Sequence, residues 1–166
     1  ERIEKGFSII PEDRQKTGLV LDFSVQENLI LGRQDKPPFA EKWYALNLEK
    51  ESELAEELIH EYSIQTPTKE TLVRYLSGGT QQKVVVAREF SRQPKFIIAS
   101  QPTRGLDIGA TEYVRKKLIE MRDKGCAILL ISADLDEILT LSDRVAVIYE
   151  GKIVAVRERG KTDELE

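Results

Sequence analysis

The sequence predicts an α/β fold: a mainly helical part, then a mainly parallel sheet that ends in an antiparallel hairpin. Three observations predict it. From Phe96 onward, short apolar runs alternate with segments of helical period: Phe96 to Ser100, Ala110 to Met121, Ala127 to Ile131, Asp134 to Leu141. Such alternation implies parallel strands joined by right-handed crossovers. Between residues 20 and 92 the apolar spacing is mainly helical. Near the C-terminus, Glu150-Gly151 separates two β-prone runs, a two-residue hairpin signal.

Taken in order, Phe7 to Ile10 is a short β-prone run that Pro11 ends. Pro11-Glu12-Asp13-Arg14 and a turn at Lys16-Thr17-Gly18 follow. Ser24-Val25-Gln26-Glu27 is a capping box, in which Ser24 caps and Glu27 reaches back; it starts a short helix through Leu31. Residues 32 to 39, with Gly32, Pro37 and Pro38, read as a loop. Trp43 and Tyr44 sit in a mixed segment without a clear period. Leu54, Ala55, Leu58, Ile59 and Tyr62 recur at helical spacing, and Thr66-Pro67-Thr68 ends that helix. His60 falls on its polar side as a surface residue, and no second histidine exists to share a metal.

Ser77 is a good N-cap, and Gln81 to Phe90 reads as the helix behind it. Phe96 to Ser100 reads as a buried strand. Asp107 can cap a helix whose stripe is Ala110, Tyr113, Val114, Lys117, Leu118 and Met121, with Gly125 just past its end. Ala127 to Ile131 reads as a second buried strand. In the short helix Asp134 to Leu141, the residues Leu135, Ile138 and Leu139 are expected inward. Val145 to Tyr149 and Lys152 to Val156 are the hairpin arms, and the charged tail from Arg157 to Glu166 is expected to fray.

A chain of 166 residues can form one ordinary domain. The net charge of -4 and the pI near 5.3 argue against a general nucleic-acid binder, which would show a basic face. The single cysteine, Cys126, rules out an internal disulfide and reads as a small core residue. The longest fully apolar run, Cys126 to Ile131, is too short to span a membrane. The charged start has no signal-peptide pattern, so a soluble cytosolic chain is expected. The first residue is not Met, consistent with a piece of a longer protein.

The chemistry concentrates at Leu76-Ser77-Gly78-Gly79-Thr80-Gln81-Gln82-Lys83. Backbone amides at a helix start carry partial positive charge, and glycines let a ligand approach them closely; phosphate suits such an end. Four residues alone read first as a capped helix after a turn. Ala87-Arg88 follow, however, then the apolar run Phe96 to Ala99, then Gln101-Pro102-Thr103-Arg104-Gly105-Leu106-Asp107. The ordered pair resembles the signature motif and the Walker B/D-loop region of ABC-type ATPases, and the resemblance extends over nearly the whole chain. It implies a partial P-loop NTPase-like domain in three parts. Residues 1–19 would be the Q-loop strand and loop, 20–93 the helical subdomain with the signature, and 94–166 the Walker B, D-loop and switch part of the core.

The sequence departs from the family where a domain serves its own nucleotide. No Gly-x-x-x-x-Gly-Lys occurs. The Walker B Asp and catalytic Glu positions fall on Ser100 and Gln101, the switch His on Ala133, and the Q-loop Gln on Glu12. A serine hydroxyl is a poor Mg²⁺ ligand, and glutamine cannot accept a proton from water. By contrast the signature is nearly intact, with Thr80 departing from the common Gln. The resemblance implies that Ser77, Gly78, Gly79 and Thr80, with Asp107 in the D-loop, serve ATP held by a partner domain. ATP and Mg²⁺ are then expected in the full dimer and neither on the isolated chain, which is expected to be inactive alone.

Ile10-Pro11-Glu12-Asp13-Arg14 and Gly18 to Asn28 look like the second ATPase domain of sugar-type importers; Ala99-Ser100-Gln101-Pro102 and Ile131 to Leu135 look like the nucleoside branch. The resemblance implies another ABC ATPase domain and transmembrane permease subunits as partners, no nucleic acid, and a place on the inner face of the cell membrane. The permease would dock near Glu12 to Gly18 and the Phe23 to Asn28 turn. A non-catalytic remnant or interaction module, and a fragment of a non-transport ABC ATPase, stand as alternatives.

Overall fold

The computed structural model describes residues 3–42 and 45–158; Trp43, Tyr44 and the tail beyond Glu158 lie outside the described residues. A 3-10 turn, Ile3–Lys5, leads into strand β1 (Phe7–Ile10), which is followed by one π-helical turn, Arg14–Gly18, capped by Asp13. Helix α1 (Val25–Ile30) has the complete capping box: Ser24 Oγ accepts from Glu27 N, and the Glu27 carboxylate accepts from Ser24 N. The 32–39 segment is a run of turns. It leads into a small antiparallel pair, β2 (Ala40–Lys42) and β3 (Ala45–Leu46), which the helical pattern around it does not announce. Helix α2 (Leu48–Glu61) begins well before Leu54, because Asn47 supplies the cap by accepting from Lys50 N. It buries Ala55 and Leu58, with Leu54 and Ile59 packed at the edge of the core and His60 exposed.

Helix α3 (Gly78–Phe90) is the centre of the molecule. Val84, Val85, Val86, Ala87 and Phe90 are all buried, so core covers it on nearly every side. Strand β4 (Phe96–Ser100), helix α4 (Ile108–Asp123) and strand β5 (Ala127–Ile131) follow as a strand–helix–strand unit. The parallel sheet has the order β1-β4-β5, with Phe7 opposite Phe96 and Phe96 opposite Ala127. Its inner face, Ile10, Ile97 and Ala99, joins the α3 valines and Val114, Leu118 and Met121 of α4 in one core. The α4 stripe falls as its spacing predicts, and Cys126 is a buried free thiol.

The C-terminal part corrects three expectations. Strand β5 is not buried: Leu129 and Ile131 are each 48 % exposed, because only the inner face of the sheet is packed. In α5 (Leu135–Leu141), Leu135 and Leu139 point outward, and Glu137 is the residue that is fully buried. The parallel sheet stops at β5. Among the described residues strand β6 (Arg144–Tyr149) pairs with β7 (Lys152–Glu158) alone, through a turn in which Glu150 and Gly151 both have positive φ, as a tight primed hairpin turn requires.

A buried ionic cluster ties these layers together. Glu89 accepts from Arg88 Nε at 2.9 Å and from Arg92 Nη1 at 3.2 Å, and all three side chains are nearly fully buried. Its second oxygen also receives Ile9 N, while Ser8 Oγ donates to the Glu89 carbonyl at 3.0 Å. Arg92 reaches back to the carbonyl of Leu31, so β1, α3 and the end of α1 share one network. Pairing this close offsets much of the cost of burying these charges.

Candidate functional site

The start of α3 is the first candidate. Ser77 is exposed and extended, and its Oγ accepts from Thr80 N at 3.2 Å while donating to Thr80 Oγ1. Gly78 and Gly79 are half-buried and Thr80 is buried. Amides in a first helical turn have no carbonyl within the helix to receive them. Asp107 caps α4 by accepting from Ala110 N at 2.8 Å, and its other oxygen faces Gly79. A Cβ placed on Gly79 would lie 2.9 Å from Ala110 Cβ and 3.4 Å from Asp107 Oδ2. Ser77, Gly78, Gly79 and Asp107 therefore share one neighbourhood, although Asp107 and Gly79 are far apart in sequence.

The turn after β1 approaches the same helix start. A Cβ on Gly78 would lie 2.6 Å from Arg14 Nη2, so the guanidinium rests directly on the glycine backbone. Arg14 Nη1 donates to the Arg104 carbonyl at 3.0 Å, and Arg14 Nε is buried without a partner. Gln15 Nε2 donates to Gln81 Oε1 at 2.9 Å, a second tie to α3. Glu12 is held in an ion pair with Arg104. The sequence places Arg14 only within the Glu12 to Gly18 docking candidate; the fold brings it to Gly78, and nothing in the local pattern marks that contact.

The positions expected to serve the chain's own nucleotide form a second cluster. Gln101 takes positive φ at the end of β4, its N–H donates to the Ile131 carbonyl at 2.7 Å, and its Oε1 accepts from Ala133 N at 3.2 Å. Ser100, Gln101 and Ala133 thus meet where β4 and β5 end. None brings a carboxylate or an imidazole, so this donor set does not fit a divalent cation. Among the described residues, no group of three or more His, Cys, Asp or Glu side chains could hold a metal. Behind the cluster, buried Glu137 accepts from Thr103 Oγ1 at 2.9 Å and faces Arg115, which also pairs with Asp134 at 2.8 Å. A buried glutamate inside an apparently amphipathic helix gives no sequence signal.

A groove of about 400 Å³ runs beside α1, walled by Phe23, Ile30, Leu31, Leu46 and Leu48, with Glu51 in its lining. Phe23, Ser24, Gln26 and Glu27 of the Phe23 to Asn28 turn, named above as a docking candidate, line it. The Glu12 to Gly18 turn does not line it.

Among the described residues no helix is long and apolar enough to cross a membrane. The family model described as ABC transporter matches residues 1–104. The chain is 50 % identical over 98 % of its length to the guanosine import ATP-binding protein NupO of Bacillus subtilis, covering 32 % of that protein. It is 46 % identical over 92 % of its length to the nucleoside import ATP-binding protein NupA of Lactococcus lactis, covering 30 %, and 39 % identical over 95 % to the ribose import ATP-binding protein RbsA of Hahella chejuensis, covering 31 %. The chain thus spans about a third of the length of these curated relatives. Among solved structures, the ATP-binding cassette MJ0796, in a dimeric post-hydrolysis state bound to ADP and Pi, superposes with a TM-score of 0.72 at 22 % identity, over 93 % of this chain and 63 % of that one.

Proposed function

Because the chain belongs to the ABC transporter family, we propose that it is part of the ATP-binding subunit of an importer for nucleosides or simple sugars. Its role there is to present the start of α3 to ATP held by a partner ATPase domain. One observation carries this: Ser77, Gly78, Gly79 and Asp107 gather at a helix start that reaches the surface, with the Arg14 cation beside it. Bare amides and a guanidinium stabilise phosphate charge without any acid or base. The chain's own half does no hydrolysis. Ser100, Gln101 and Ala133 offer neither a metal-binding carboxylate nor a switch imidazole, and the Glu12 carboxylate is engaged by Arg104. ATP and Mg²⁺ belong to the assembled dimer. The nucleoside and sugar choice follows the names of the relatives, and the solute itself is chosen by the permease. The permease docks beside α1, in the groove that Phe23 opens, and holds the chain at the inner face of the membrane.

The test is ATP-dependent association of the 166-residue chain with a Walker A-bearing ATPase domain of a relative, followed by light scattering. Wild type is expected to associate only with ATP, and Ser77→Arg to lose association without losing its melting transition. ATP turnover by the isolated chain, abolished by Ser77→Arg, contradicts the reading. Folding without any nucleotide-dependent association favours the remnant alternative instead.

A further inference from the structure

Glu51 lies in the α1 groove and is only 3 % exposed, yet among the described residues its Oε1 has no hydrogen-bond partner. Gln26 of α1 lines the same groove close to the Glu51 carboxylate, and among the described residues its own Oε1 is also buried without a partner. Two acceptors are therefore left unsatisfied on the wall of one open apolar groove. A buried acceptor without a donor is costly, and a buried carboxylate more so. Burial accordingly pushes the Glu51 carboxyl above its usual range. The first turn of α2 favours a negative charge at Glu51 but supplies no donor to Oε1. Among the described residues the other ionisable groups lining the groove are Glu27 and Glu70, both acidic, so none of these supplies a cation. The missing partner is a donor with positive charge, carried on an apolar body that fills the space between Phe23, Ile30 and Leu48.

We propose that Glu51 and Gln26 form a receptor for one arginine side chain, borne on an otherwise apolar helical segment of the membrane-domain partner, and that this contact selects the partner. A guanidinium fits because its planar fork donates to two acceptors at once, here one carboxylate oxygen and one amide oxygen. This rests on the reading that the permease docks in the α1 groove.

Three synthetic amphipathic helical peptides test it against the full 166-residue chain by fluorescence anisotropy and amide chemical shifts. One carries a single arginine at the centre of its apolar face, one has citrulline there, and one has the arginine moved to its polar face. The central-arginine peptide is expected to bind at least tenfold more tightly than either of the others, shifting the amides of Phe23 and Leu48. In Glu51→Gln, which keeps the side-chain shape, the advantage over citrulline falls to about one. The same variant melts higher than wild type, because the unpaired charge is gone; a merely structural glutamate would show the opposite. Equal binding of the three peptides in the groove, or a preference that survives Glu51→Gln, overturns the arginine receptor while leaving groove docking in place. No binding of any peptide at Phe23 and Leu48 removes the docking reading itself, and the receptor with it.

Discussion

The two glycines at the start of α3 meet different obstacles, and alanine at each separates packing from ligand approach. At Gly79 the new methyl would lie 2.9 Å from Ala110 Cβ. Comfortable carbon contacts are about 3.5–4.0 Å, so α3 and α4 must part by roughly 0.6–1.1 Å. Ala110 Cβ is fixed to the α4 backbone and cannot rotate away. Overpacking of this kind costs about 1–3 kcal/mol, offset by up to about 1 kcal/mol as alanine replaces glycine in a helix. The expected net loss is about 1–2 kcal/mol, a melting temperature lower by about 2–8 °C for a chain of this size. At Gly78 the obstacle is Arg14 Nη2, the far end of a flexible side chain, which can swing aside. Gly78→Ala is expected to stay within about 0.5 kcal/mol of wild type. Thermal melts and urea titrations of both variants measure this. Gly78→Ala pushes the Arg14 guanidinium off the helix start and Gly79→Ala shifts α3 against α4, so ATP-dependent association is expected to fall in both while stability falls only in Gly79→Ala. A Gly78→Ala variant less stable than Gly79→Ala would refute the contact geometry at the head of α3.

Two further outcomes follow from the buried charges. Glu89→Ala leaves the Arg88 and Arg92 guanidiniums and Ile9 N without their acceptor, and urea unfolding should show a loss of about 3–5 kcal/mol. Because the Glu51 carboxyl is raised above its ordinary 4.5, the folded chain holds that proton more tightly than the unfolded chain. Its contribution is neutral below the ordinary value and becomes unfavourable as pH rises through the raised one. Melting temperature measured from pH 4 to 8 should therefore fall more for wild type than for Glu51→Gln.

Signals confined to a few residues were readable. Ser24, Ser77 and Asp107 each cap the helix their type and spacing announce, because a cap needs only a side-chain oxygen and the amides just after it. Glu150-Gly151 folds as its dipeptide demands. What failed depended on partners distant in sequence. Leu129, Ile131, Leu135 and Leu139 read as inward because apolar periodicity names a face without naming what covers it. Glu137 carries no inward signal in the sequence, yet Thr103 and Arg115 meet it inside. The candidate site divides the same way. Ser77, Gly78 and Gly79 were legible in one string, while Arg14 and Glu51 owe their places to tertiary packing.

The placement of Arg14 has an electrostatic consequence. A cation beside a helix N-terminus opposes the helix dipole, at a cost of about 0.3–1 kcal/mol in exposed settings. Arg14 nevertheless rests on Gly78, held by the Arg104 carbonyl, with its Nε unpartnered. Asp107 offsets part of that charge on the Gly79 side, but its nearer duty is to cap α4. The face so formed is left short of negative charge. A neutral ligand would satisfy neither the first-turn amides nor the guanidinium, whereas a phosphate oxygen placed between them satisfies both. This favours a role for the α3 start as a receiver of phosphate, one that asks no proton transfer of Ser100, Gln101 or Ala133.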